Sequence, residues 1–317
     1  MTSRNSFILK AIIGIIFSLL VTFLLARPGL AVPSQDEPYK VKSFTVNTPG
    51  RLEVKTSGGY IKVKGSSTNT VRVEMYVRKN GHNLLPEDSK LDDWDIDISQ
   101  SGQRVKAIAK HHGRGWHLFG GSHVSISFVV YTPREMSSDL NTSGGHIEVR
   151  GLSGKQDIST SGGHLELAEL KGTIDARTSG GHISVSDVQG NMDARTSGGH
   201  IDVQNSEGDL KVRTSGGHIN LANVGGTIDA STSGGGISAD LTSIAKSVNL
   251  RTSGGNINIS VPGDTGLDLH LRGSYVSTKL RNFSGKVDRD EVDGELNGGG
   301  PEITARTSGG TVELSFK

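Results

Sequence analysis

The chain contains no cysteine, which excludes disulfides, thiol catalysis, cysteine-based zinc sites and lipid attachment at a cysteine. Aromatic residues make up only 5% of it, so its core must be assembled from small aliphatic side chains. No charge sign dominates: 34 Lys+Arg stand against 33 Asp+Glu, a formal net charge of +1. That balance offers no electrostatic case for nucleic acid or for an anionic membrane surface. What the chain has in excess is glycine, 44 of its 317 residues. A length of this order suits one or two ordinary domains, but a repeat array escapes that rule because it grows by stacking.

The amino-terminal 31 residues differ from the rest. Arg4 and Lys10 precede an uncharged run at 11–26, followed by Arg27-Pro28-Gly29-Leu30-Ala31. A basic start, an apolar stretch and small residues at Gly29 and Ala31 predict a secretory signal cleaved after Ala31, with an uncleaved membrane anchor as the rival. Either places the body outside the cytoplasm, in the periplasm, at the cell surface or secreted. The expected organisation is then a signal or anchor at 1–31, a polar linker at 32–39, a first coil at 40–64, a β-rich excursion at 65–139, a regular array at 140–261 and a second excursion with a final coil at 262–317.

The array announces itself by a repeat. Thr-Ser-Gly-Gly begins at Thr56, Thr142, Thr160, Thr178, Thr196, Thr214, Thr232, Thr252 and Thr307. From Thr142 to Thr232 each step is 18 residues, and a period of this size is the mark of a solenoid or similar array. A second glycine column, Gly154, Gly172, Gly190, Gly208 and Gly226, keeps the same period. Between the glycines run two short alternating segments, such as His182-Ile183-Ser184-Val185 and Ile174-Asp175-Ala176-Arg177. Alternation of period 2 means strand. Two strands and two glycine corners per 18 residues predict an all-β fold: a flattened parallel β-solenoid with coils about 4.8 Å apart, capped by less regular β segments. The corner glycines are Gly144, Gly145, Gly162, Gly163, Gly180, Gly181, Gly198, Gly199, Gly216, Gly217, Gly234 and Gly235, and the expected reason for them is tolerance of positive φ.

Parity then assigns the core. One sheet should bury Ile147, Leu165, Ile183, Ile201, Ile219, Ile237 and Ile257 beside Val149, Leu167, Val185, Val203, Leu221 and Ala239. The other should bury Ile174, Met192, Leu210, Ile228 and Val248 beside Ala176, Ala194, Val212, Ala230 and Leu250. By the same parity the Thr of each TSGG faces inward, where its hydroxyl can bond to neighbouring backbone, and the Ser faces out. Outside the array, strand-like runs lie at 71–78, 94–98, 105–110, 124–131 and 267–271. They are candidates for covering the unpaired ends that an open solenoid would expose.

The succession Tyr131-Thr132-Pro133-Arg134, then Asp139-Leu140-Asn141 before the first regular TSGG, and Asn297-Gly298-Gly299-Gly300 before the last, resembles the bacterial putative adhesin family. The resemblance spans roughly residues 40–317. It implies an exported, non-enzymatic β-repeat protein of the cell envelope, and it brings no catalytic residues with it.

Outward positions are where any chemistry must lie. His146, His164, His182, His200 and His218 form a column, with Glu148, Glu166, Ser184, Asp202 and Asn220 two residues further on. Imidazolium ions stacked at this spacing would repel by about 1–3.5 kcal/mol, for effective dielectric constants between 80 and 20, so the column is expected to be uncharged, the form that binds metal. Histidines from adjacent coils with Glu148, Glu166 or Asp202 make a candidate Zn²⁺ or Ni²⁺ site; a repeat that copies its surface without using it is the simpler alternative. A second cluster, His111, His112, His117 and His123, sits in a glycine-rich stretch where Trp116 and Phe119 could cover a site or contact a partner; an exposed loop or hairpin of the cap is the simpler expectation. On the other sheet, Asp157, Asp175, Asp193, Lys211 and Asp229 run beside Ser159, Arg177, Arg195, Arg213 and Ser231, a self-repelling acidic column offset by arginines.

Catalysis is the poorer expectation. From Thr132 to Ser274 there is no Phe, Tyr or Trp to stack on a sugar. The regular acidic residues recur coil after coil, whereas an active site needs one unusual coil. The sequence therefore predicts no resident cofactor, no nucleic acid, a membrane contact only through the amino-terminal segment, and an envelope or cell-surface partner.

Overall fold

The computed structural model describes residues 37–86, 91–112 and 124–317. The expected amino-terminal signal lies outside them, as do His117, His123, Trp116 and Phe119 of the second histidine cluster. Every regular element among the described residues is a β-strand, and none contains a helix long and apolar enough to cross a membrane.

The alternating segments form parallel strands stacked 18 residues apart, with a 20-residue step at the last regular coil. Ile147, Leu165, Ile183, Ile201, Ile219, Ile237 and Ile257 are successive partners, and the Ile174 column stacks in the same way on the other side. All the inward residues assigned by parity are buried. Each buried aliphatic is worth about 1.5–3 kcal/mol, and only the coils above and below can cover it, so no coil is stable alone. A further inward column, Leu152, Leu170, Val188 and Val224, was not assigned from the alternation because it follows a turn. The residue before each is left-handed: Gly151, Glu169, Asp187 and Asn223, with Asn205 in the same column. Asp and Asn tolerate that conformation because their side chains bond locally, and Asn223 donates to Asn205 Oδ1 at 2.8 Å.

The corner glycines hold a correction. None of the paired glycines has a positive φ; that conformation belongs to Gly154, Gly172, Gly190, Gly208 and Gly226, at 112–139°. The second glycine of each pair is required instead by close approach. A Cβ on Gly199 would stand 1.9 Å from the Gly181 carbonyl oxygen, and the other second glycines give 1.8–2.2 Å. The first glycine is far less restricted: a Cβ on Gly198 would meet nothing closer than 3.8 Å.

That same carbonyl accepts the threonine hydroxyl. Thr196 Oγ1 donates to Gly181 O at 2.9 Å, and Gly199 N–H donates back to Thr196 Oγ1 at 3.3 Å. Equivalent pairs recur at Thr160, Thr178, Thr214, Thr232, Thr252 and Thr307. One buried hydroxyl thus satisfies a donor in its own coil and an acceptor in the coil before it.

The two ends are interleaved rather than sequential. Strands Gly50–Thr56 and Ile61–Ser66 stack on Met136–Thr142 and Ile147–Arg150. Arg104–His111 and Val124–Pro133 then return to cover their other side. At the far end, Glu302–Thr307 and Thr311–Phe316 slot between the coil of Thr252 and the strands Leu267–Arg272 and Tyr275–Thr278. Antiparallel strands finish the outer layers: Thr70–Lys79 on Val124–Pro133, Trp94–Ser101 on Arg104–His111, and Glu291–Leu296 on Leu267–Arg272. A reversed strand does not continue the parallel register, which limits end-to-end growth. Strand Lys40–Thr45 also pairs antiparallel, with Thr70–Lys79, so the first parallel coil begins at Gly50.

The two glycines of a corner should respond differently to the same added methyl. Gly199→Ala is expected to cost at least about 2 kcal/mol through overpacking against backbone, and Gly198→Ala to stay within about 1 kcal/mol of the parent. Thermal unfolding followed by circular dichroism measures both; equal losses would contradict the close-approach account.

Candidate functional site

The histidine column is the chemically most distinctive feature of the array, and its position follows from the corner. After the glycine pair the chain turns into a strand, and the amide of the turning residue points to the preceding coil. There it meets a side chain. His182 N–H donates to His164 Nδ1, His200 N–H to His182 Nδ1 and His218 N–H to His200 Nδ1, each at 2.9 Å. Gly236 N–H donates to His218 Nδ1 at 2.8 Å. The rings stack with centroids 5.0 Å apart for His164–His182 and His182–His200, and 5.3 Å for His200–His218. His146 stacks instead on Tyr60, at 5.5 Å. Further along, where the column holds Asn256, its Oδ1 accepts from Thr311 N–H at 2.9 Å.

These contacts decide what the imidazoles can do. A nitrogen that accepts from an amide carries no proton, so the ring hydrogen of these four residues sits on Nε2. The lone pair on Nδ1 is then engaged and the outer nitrogen has none to offer. A resident Zn²⁺ or Ni²⁺ does not fit this set: it would have to break a coil-to-coil hydrogen bond to gain a ligand. The carboxylates lend little help. Glu148 pairs with Lys62 of the neighbouring coil, while Glu166 and Asp202 lie on separate coils. Among the described residues no three His, Asp or Glu side chains converge on a common point.

The opposite face is built from charge pairs. Arg177 binds Asp175 and Arg195 binds Asp193, each two residues along one strand. Arg213 reaches the next coil instead, to Asp229 at 2.8 Å, because Lys211 stands where its own aspartate would be. The Oδ1 atoms of Asp175 and Asp193 are shielded from solvent and lack a hydrogen-bond partner. Burial holds the Asp175 carboxyl above its ordinary range; Arg177 and Arg195 oppose this and the stacked Asp157 and Asp193 add to it. In the second histidine cluster, His111 meets Trp94 edge to face at 5.1 Å and His112 lies 3.9 Å from Asp95.

Two outcomes follow. His182→Leu removes an acceptor and is expected to cost about 1 kcal/mol, whereas His182→Asn, which supplies the group Asn256 already uses, should cost less than half of that; melting temperatures separate the two. For Asp175 the raised folded value means that the folded state favours the protonated form. Its unfavourable contribution is therefore present at neutral pH and relieved as pH falls through that value. The stability of Asp175→Asn relative to the parent should accordingly be higher at neutral pH than in acid, and the opposite trend would contradict the assignment.

Residues 172–315 match the family model described as Toastrack DUF4097. No curated protein matches the chain. Solved structures similar to it include a putative adhesin from Bacteroides fragilis, at 11% identity and a TM-score of 0.39, covering 88% of this chain and 96% of that one. A putative lipid binding protein from Parabacteroides distasonis has 13% identity and a TM-score of 0.39, over 88% and 97%. A putative cell adhesion protein from Clostridium sporogenes has 10% identity and a TM-score of 0.22, over 89% and 100%. Over residues 172–315 the chain is similar to the Toastrack DUF4097 model, which bears out the β-repeat family resemblance read from the TSGG pattern.

Proposed function

We propose that the protein is an exported, non-enzymatic β-solenoid scaffold that acts in adhesion at the cell envelope. The observation that carries this reading is that the side chains resembling catalytic equipment are committed to holding coils together. Four of the five column histidines accept backbone amides, and the TSGG hydroxyls of the regular coils bridge backbone groups. An active site needs a singular constellation with free lone pairs, and these groups are neither singular nor free. A stack of coils with two hydrated and chemically different faces is suited to presenting a surface. Its balanced Asp and Arg columns also discourage copies from sticking to one another.

The test is a variant with all five column histidines replaced by Asn, compared with the parent for export, fold and attachment of whole cells. The scaffold reading expects the variant to be exported, folded and as adhesive as the parent. Loss of attachment with the fold intact would contradict it and return the role to the imidazoles. Saturable Zn²⁺ or Ni²⁺ uptake by the parent that the variant lacks would likewise overturn the reading of the column as structural.

A further inference from the structure

The arginine column on the charged face does not stop where its aspartates do. In spatial order it continues from Ser231 to Arg251, Arg306 and Arg272, which are in register on adjacent strands. Two residues back, the acidic column becomes Asn249, Thr304 and His270 over the same coils. Three exposed arginines therefore stack with no carboxylate beside them along the strand. The nearest acids are occupied elsewhere. Glu291, the cross-strand neighbour of Arg272, holds Lys286, Asp293 holds His270, and Glu302 accepts from the Thr304 hydroxyl. None of the three arginines enters an ion pair among the described residues, in contrast to Arg177, Arg195 and Arg213. They line a cleft of about 540 Å³ whose remaining lining includes Ser253, Ser274 and Ser308.

We propose that this cleft binds an anionic polysaccharide, with Arg251, Arg306 and Arg272 each taking one carboxylate or sulfate of successive sugars. Like charges stacked one per coil repel, and an anion between them removes the repulsion. The coil spacing of about 4.8 Å is close to the rise of one sugar in an extended polymer, so the arginines match a repeating anion rather than a single one. The guanidinium fork suits carboxylate and sulfate oxygens in bidentate geometry, and the serine hydroxyls suit the hydroxyls of the sugar ring. No aromatic side chain lines the cleft, as base stacking by a single-stranded nucleic acid would require, and no large apolar side chain is among its lining residues to enter a membrane. The proposal names a ligand for the scaffold read above and rests on that reading for its place at the envelope. Because it is tested with purified components, failure to bind would leave the cell-attachment result untouched.

The full chain is titrated calorimetrically with polygalacturonate at low salt, with duplex DNA and anionic phospholipid vesicles as separate arms. Two variants of equal charge change are compared: R251S/R272S/R306S and R177S/R195S/R213S. Serine already occupies this column at Ser231, so the fold accommodates it. Saturable polygalacturonate binding is expected, weakened at least about tenfold in the first variant and less than about threefold in the second, with unchanged circular dichroism. If the first variant loses its fold, Arg306→Ser alone, at the centre of the three, should still weaken binding more than Arg195→Ser. No binding by the parent, equal losses in the two variants, or equally tight binding of DNA or vesicles would each overturn the proposal.

Discussion

The structure depends on how closely one coil can approach the next at the corner. At Gly181 the carbonyl oxygen faces Gly199 of the following coil, with room for a hydrogen there and none for a methyl. That approach brings the Thr196 hydroxyl within 2.9 Å of the same oxygen. Remove the glycine and the coils separate; remove the hydroxyl and a buried carbonyl and amide lose a partner, each costing about 1–3 kcal/mol. The aliphatic columns can stack in register only because this corner sets the spacing. The 18-residue period, the Gly pair and the inward Thr are thus one constraint expressed three times.

Much of this was legible in the sequence because a solenoid repeats its instructions. The inward columns from Ile147 to Ile257 and from Ile174 to Val248 follow from parity alone, and the inward threonines follow from the same count. The regular period writes the same alternation into every coil, so each coil repeats the assignment of its neighbours. The strand-like runs outside the array are also strands, since Val, Ile and aromatic alternation speaks for itself. What could not be read was their pairing. Which strands Gly50–Thr56 lies against depends on contacts 53 residues apart on one side and 86 on the other, and local patterning carries no such information. The interleaving of Glu302–Thr307 between two earlier segments is of the same kind.

The candidate site was legible in its residues and not in its chemistry. The outward direction of the histidines follows from their place before an inward Ile. Their role turns on whether Nδ1 points to solvent or to the amide of the following coil, which is a matter of side-chain rotation at a turn. One signal did exist. The column passes from histidine to Gly236, Asn256 and Thr311, and Asn shares with His an acceptor at the same reach, not a taste for zinc. The paired glycines taught a similar lesson, since positive φ and close approach both select glycine, and only the backbone geometry distinguishes them.

The recurring TSGGH stretch is a joint between coils, in which Thr, the second Gly and the His amide each tie one coil to the one before. The most direct test is nitrogen-15 NMR of the labelled chain, which reports the tautomer of each imidazole. The account predicts that His164, His182, His200 and His218 carry their proton on Nε2, with Nδ1 coupled through a hydrogen bond to the amide of the next coil. A proton on Nδ1, or freely exchanging tautomers in these four residues, would contradict it.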